Sequence, residues 1–188
     1  MTQVVVGFDE VGRGCIAGPV VAAAVILDHR KPIEGLMDSK KLTKKRRMEL
    51  SSKIFAKALD WSIGCSDVQE IDNINILQAS LLAMKRAFDG LTVKADFAQV
   101  DGIFYPDIDI DGECIKGGDN IIAEISAASI IAKVYRDEHM AILDVLYPGY
   151  DLAKHAGYPT PDHKKRLASL GVVPIYRQSF SPVRQLLA

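Results

Sequence analysis

Eight consecutive apolar residues, Val20-Val21-Ala22-Ala23-Ala24-Val25-Ile26-Leu27, lie between Gly18-Pro19 and Asp28. The run is too short to span a bilayer, which takes roughly 20 apolar residues as a helix. It is rich in β-branched side chains and has no polar face to turn to water, so it predicts a strand buried on both sides. Val4-Val5-Val6-Gly7-Phe8, Trp61 to Val68, Asp96 to Val100 and Glu113 to Lys116 predict four more strands. Between them the apolar spacing turns helical. Met48, Leu50, Ile54, Phe55, Ala58 and Leu59 follow a candidate cap at Thr43, and Ile74, Leu77, Leu81, Met84, Ala87 and Phe88 lead to a stop at Asp89-Gly90. A third helix is predicted over Asp119 to Met140 and a last one after Pro161, with an irregular chain end. Strands that alternate with helices give an α/β fold. With no internal repeat and no linker rich in Gly, Ser or Pro, residues 1–188 read as one domain.

The 23 basic and 24 acidic side chains leave a net charge of −1, which excludes nucleic-acid binding through a global basic field. Local patches remain at Lys40 to Arg47 and Lys164 to Arg166; taken alone, each is a solvated helix face. Cys15, Cys65 and Cys114 are odd in number and form no C-x-x-C pair, as expected of reduced thiols in the cytosol. The first apolar stretch breaks at once on Asp9 and Glu10, so neither a secretory signal nor a membrane anchor is expected.

Gly12-x-Gly14-x-x-Ala17 has the letters of a dinucleotide-binding turn, but that turn must lead straight into a helix, and here Gly18-Pro19 leads into a strand. A phosphate-binding P-loop also fails, because Arg13 and Gly14 stand where Lys and Ser or Thr are needed. The reading that remains takes the acids themselves as the point. Asp9 and Glu10 end a strand, Asp101 ends another before Gly102, and Asp119 follows two glycines at a helix start, where its ordinary role would be an N-cap. Strand ends and helix starts meet along one edge of an α/β sheet. Carboxylates gathered there suit a hard divalent cation and phosphoryl chemistry. Adjacent strand residues face opposite ways, so Glu10 joins Asp9 only by reaching round the end of its strand.

The order of motifs resembles ribonuclease HII of the proteobacterial type. Gly7-x-Asp9-Glu10-x-Gly12-Arg13-Gly14 with Ala17-Gly18-Pro19-Val20 opens the series, and Asp38-Ser39-Lys40-Lys41-Leu42, Asn75-Ile76-Leu77, Asp101-Gly102 and Gly118-Asp119 follow. Ile125-Ser126-Ala127-Ala128-Ser129 through Arg136-Asp137, Gly157-Tyr158-Pro159-Thr160 with His163, and Arg177-Gln178-Ser179-Phe180 complete it. The resemblance implies a ribonuclease H-like fold, a central mixed sheet flanked by helices, with a short helical extension over about residues 142–188. It puts the metal-binding and catalytic acids at Asp9, Glu10, Asp101 and Asp119. With two Mg²⁺ or Mn²⁺ ions about 4 Å apart, they would hydrolyse a phosphodiester without a protein nucleophile.

The implied substrates are RNA–DNA hybrids and duplex DNA containing ribonucleotides, incised 5′ to a single ribonucleotide by a cytoplasmic monomer that binds no membrane. Gly12-Arg13-Gly14 would read the ribose 2′-hydroxyl, the group that distinguishes RNA from DNA. Tyr158 would pack on the sugar that follows. Ser39, Lys40 and Thr43 would hold phosphate, and Asn75 would touch the nucleic-acid backbone. Three positions depart from the family's habit: Cys15 replaces a common proline, Ala156 a common lysine and Tyr176 a common histidine. His155 and His163 are spaced too widely for a helical metal pair, and Asp137 is expected to balance Lys133 and Arg136. The rival readings are a junction-resolving nuclease that needs no 2′-hydroxyl, a silent nucleic-acid-binding module, and, weakest, a nicotinamide-dependent dehydrogenase.

Overall fold

The computed structural model describes residues 3–188. Five strands, β1 (Val5–Val11), β2 (Val20–Ile26), β3 (Asp60–Ser66), β4 (Phe97–Asp101) and β5 (Gly112–Ile115), form one sheet in the order β3-β2-β1-β4-β5. β3, β2 and β1 run antiparallel, whereas β1, β4 and β5 run parallel, so the sheet is mixed. The apolar run is β2, every residue of it buried.

The two faces of β2 carry separate cores. Val20, Ala22, Ala24 and Ile26 join Val6, Phe8 and Val100 beneath the helix α2 (Val68–Asp89). Val21, Ala23 and Val25 pack against α1 (Lys44–Lys57) and α3 (Ala123–Leu146). Gly7 lets α3 approach the sheet closely, since a Cβ there would lie 2.3 Å from the Glu124 backbone. A third core joins Ile16 and Ala17 to Met140 and to the short helices α4 (Leu152–His155), α5 (Pro161–Leu170) and α6 (Ser181–Leu187).

Several boundaries differ from the sequence reading. β1 continues three residues past Phe8, because Val11 packs into the α3-side core. α2 starts at Val68, where Asp67 and Glu70 form a reciprocal capping box. α3 begins only at Ala123, with Asp119 in a separate 3₁₀ turn, Gly118–Asn120, and it runs through residue 142 to Leu146. The chain end is helical as α6, because Val183 is drawn into the third core. No helix is long and apolar enough to cross a membrane among the described residues.

Candidate active site

Register brings Asp9 and Asp101 together. The parallel β1–β4 ladder pairs Phe8 with Val100, and the next residue on each strand is an aspartate. Partners in a parallel ladder face the same side. Here that is the α3 side, which Gly7 and Val11 also face. Glu10 faces the α2 side from the penultimate position of β1, where a pocket of about 250 Å³ is lined by Glu10, Arg13, Leu77, Asp101 and Phe104. Asp119 enters from the turn after β5, the strand whose Ile115 pairs with Asp101. Its carboxylate caps no helix; Oδ1 accepts a bond from Asn120 Nδ2 at 2.8 Å.

The acids feel one another. Burial pushes the Asp9 carboxyl well above the usual carboxylate range and the charges of Glu10 and Asp101 push the same way, while Ser129 and the Glu10 N–H offset part of this. Glu10 is raised by burial against the opposing pull of Arg13, 3.3 Å away. Burial also raises Asp119, and the charges of Asp38 and Asp101 add to it against Lys40. For Lys40 itself, burial works against the charge, but Asp38, Asp9 and Asp119 outweigh it and hold the ammonium more firmly.

Asp101 Oδ1 is buried and has no hydrogen-bond partner. A buried acceptor left this way costs about 1–3 kcal/mol, and more when charged. The cluster thus keeps an unmet acceptor even with Arg13 and Lys40 beside it, and its ligating atoms are all hard oxygens, which fits Mg²⁺ or Mn²⁺. Among the described residues no three His, Cys, Asp or Glu side chains form a ready-made cage.

The Gly12-Arg13-Gly14 loop and Tyr158 are brought together. Tyr158, 37% exposed, has its Cε1 4.0 Å from where a Cβ on Gly14 would sit, and nothing else crowds that point. Gly12 is glycine for a different reason than close approach of a ligand. Its φ is +97°, and a Cβ would lie 2.2 Å from Arg136 Nε.

The phosphate-binding candidates divide. Ser39 is buried, with its hydroxyl 2.9 Å from Ser129 Oγ, and Lys40 follows it at the surface. Thr43 caps α1 through the Arg46 N–H at 3.2 Å, and Asn75 caps the second half of α2 through the Leu77 and Gln78 N–H groups. The basic run is only partly a surface patch, because Arg47 turns inward to the carbonyls of Ser39 and Leu42 and to Asp137. In the second run Arg166 is tied to Asp151 and Asp162. Asp137 pairs with Lys133 at 2.6 Å but not with Arg136, which is buried and donates to the carbonyls of Ala17, Pro19 and Ala156. Asp38 and Ser129 belong to the site and were not singled out from sequence. The signal was present in Asp38-Ser39-Lys40, where an acid two residues before a lysine caps a turn, Lys40 N–H to Asp38 Oδ1 at 2.9 Å.

Residues 6–183 match the family model described as Ribonuclease HII. The chain is 52% identical over 187 residues to Ribonuclease HII of Methylococcus capsulatus, covering 100% of this chain and 97% of that one. The crystal structure of ribonuclease H2 from Pyrococcus horikoshii OT3 superimposes with a TM-score of 0.81 at 29% identity, covering 98% of this chain and 97% of that one. Bst-RNase HIII, solved in complex with Mn²⁺, shares the fold at 18% identity and a TM-score of 0.77, over 98% of this chain and 69% of its own. Matched almost from end to end by the family model and more than half identical to a named member, the chain belongs to the ribonuclease HII family.

Proposed function

We propose that this protein is an endoribonuclease that hydrolyses the RNA strand of RNA–DNA hybrids and incises duplex DNA 5′ to a single ribonucleotide, leaving 5′-phosphate and 3′-hydroxyl ends. The observation that carries the reading is that the last pair of the β1–β4 ladder, Phe8 and Val100, is followed on each strand by an aspartate, Asp9 and Asp101, with Asp101 Oδ1 buried and unpartnered. Asp9, Glu10, Asp101 and Asp119 would hold two Mg²⁺ or Mn²⁺ ions. When bound, such ions polarise the scissile phosphodiester, activate the attacking water and stabilise the departing 3′ oxygen.

The rest is done by the chain itself. Gly14 leaves room for a ribose beside Tyr158, and backbone groups of Gly12-Arg13-Gly14 read the 2′-hydroxyl there. Tyr158 packs on the next sugar and favours a deoxyribose. Lys40 and Ser39 hold phosphate near the acids, while Thr43 and Asn75 add backbone contacts further out. Residues 1–188 act as one catalytic domain, since the helical extension shares a core with Ile16 and Ala17 beside the glycine loop; the protein works as a cytoplasmic monomer.

The test is cleavage of a DNA duplex carrying one central ribonucleotide, beside an all-DNA duplex, with Mg²⁺, with Mn²⁺ and with chelator. Metal-dependent incision 5′ to the ribonucleotide, absent from the control, is expected. Equal cutting of the control would favour a junction-resolving type of nuclease, and binding without cutting would favour a silent module.

A further inference from the structure

Tyr158 stands on a loop that is costly to form. Ala156 and Gly157 are both left-handed, with φ of 48° and 81°, and a Cβ on Gly157 would lie 2.6 Å from the Ala17 carbonyl oxygen. The segment persists because its backbone polar groups are met from outside. The Ala156 carbonyl accepts from Arg136 at 2.6 Å, and the Gly157 carbonyl from the Ile16 N–H at 2.9 Å. The Tyr158 N–H donates to the His155 carbonyl at 2.9 Å. The Ala156 N–H donates to the Leu152 carbonyl at 2.8 Å, the Gly157 N–H is held by an imidazole, and the Tyr158 carbonyl is shared between an imidazole and the Thr160 N–H at 2.8 Å.

Those contacts fix both tautomers. His155 Nδ1 accepts from the Gly157 N–H at 3.2 Å, so its proton is on Nε2, which donates to the Tyr150 carbonyl at 2.9 Å. His163 Nδ1 faces the Tyr158 carbonyl at 2.8 Å, and a carbonyl only accepts, so Nδ1 carries the proton. Its Nε2 must then accept, and the partner at 2.9 Å is the Tyr176 hydroxyl. His163 and Tyr176 are buried at 0% and 1% exposure, and the two imidazoles stack at 3.8 Å. Burial pushes His163 down to about 4 against the pull of the Tyr158 carbonyl, with His155 lowering it further, so the ring is neutral at working pH. Tyr176 itself is anchored opposite Ala17 by a β-bridge.

We propose that Tyr176 and His163 are positioning residues for Tyr158: the Tyr176 hydroxyl fixes the His163 tautomer whose Nδ1–H holds the Tyr158 carbonyl, and this sets the tyrosine ring beside Gly14 where it selects the sugar after the ribonucleotide. The inference rests on the proposed contact of Tyr158 with that sugar. Tyr176→Phe keeps the ring that packs on Tyr150 and His163 but leaves a buried Nε2 without its donor. His163→Asn keeps an N–H near the Nδ1 position and dispenses with the Tyr176 bond.

The experiment measures kcat and KM for the wild type, both single variants and the double variant. One substrate is a DNA duplex with a single ribonucleotide and the other a hybrid with RNA on both sides of the cut, which offers no deoxyribose to select. Tyr176→Phe is expected to lower kcat/KM on the first by about tenfold, mainly through KM, and on the second by less than about threefold. In the His163→Asn background the same change is expected to cost less than about twofold, since the relay is already bypassed. An unchanged ratio between the substrates with a lowered Tm, or full additivity in the double variant, overturns the relay while leaving the proposed activity intact. A wild type that cuts neither substrate overturns the proposed function, and this inference with it.

Discussion

Asp101→Asn keeps the side-chain shape and removes its charge, so it separates two effects that the native carboxylate combines. Incision is expected to fall by at least about 10²–10³-fold, the scale of losing one preorganised electrostatic contact in a transition state. The metal-free fold is expected to gain stability, because Asp9, Glu10 and Asp119 each lose a like-charged neighbour. Nicking assays and thermal melts check both, and a relief of 1 kcal/mol raises Tm by about 2–4 °C in a chain of this size. The glycine loop gives a second contrast. Gly12→Ala forces a Cβ to 2.2 Å from buried Arg136 at a φ of +97° and is expected to cost about 2–4 kcal/mol in denaturant unfolding. Gly14→Ala meets only Tyr158 at 4.0 Å and is expected to fold normally, yet to lose incision at a single ribonucleotide, because the methyl group occupies the space proposed for the ribose. Equal destabilisation by the two substitutions would mean that Gly14 is needed for packing and not for substrate.

The chemical types of the four acids were legible in the sequence, as were all five strands, because apolar runs bounded by turn residues mark buried strands locally. That they could meet along one sheet edge was legible too, but the pairing that sets Asp9 beside Asp101 was not. It depends on the register of β1 against β4, two strands separated by β2, α1, β3 and α2, and no local pattern encodes a parallel register. The sequence puts Asp119 at the start of the long helix because Gly117-Gly118 before it looks like a helix start, whereas Gly117, at φ 71°, leads into a 3₁₀ turn and α3 waits for Ala123. Within α2 the periodic apolar positions concealed a break. Asn75 has φ 67° and ψ 165°, a region kept almost to glycine that costs on the order of 1–3 kcal/mol, and its side chain caps the N–H groups of Leu77 and Gln78 at 3.0 and 3.2 Å. Asn75→Ala keeps the strain and loses the cap, so it is expected to destabilise by about 1–2 kcal/mol. Asn75→Gly loses the cap but relieves the strain and is expected to be near neutral. Urea unfolding of the pair decides this. If Asn75 also touches substrate, the glycine variant shows a raised KM at unchanged stability.

At the scale of the whole molecule, two sets of groups make stability depend on pH in opposite senses. Asp9, Glu10 and Asp119 have carboxyls raised by burial, so the fold prefers them protonated. Their contribution is full below the ordinary carboxylate range and is lost as pH rises through their raised values, which leaves the metal-free cluster destabilising at neutral pH. His163 works the other way. Its value in the fold is about 4 against an ordinary 6.5, so its contribution is full above 6.5 and is lost as pH falls towards 4, by roughly 3 kcal/mol in all. In the proposed site a divalent cation would take the place of the protons on the acids, so Mg²⁺ is expected to raise Tm more at pH 8 than at pH 5, and to raise it little in Asp101→Asn at either pH. His163→Asn is expected to lose less stability than the wild type between pH 6.5 and pH 4.5 and to keep the Mg²⁺ response, because neither imidazole is among the groups that shift the acids. Melting curves on the three proteins at those pH values, with and without Mg²⁺, separate the two effects. A Mg²⁺ shift as large at pH 5 as at pH 8 would show that the ion binds somewhere other than the raised carboxylates.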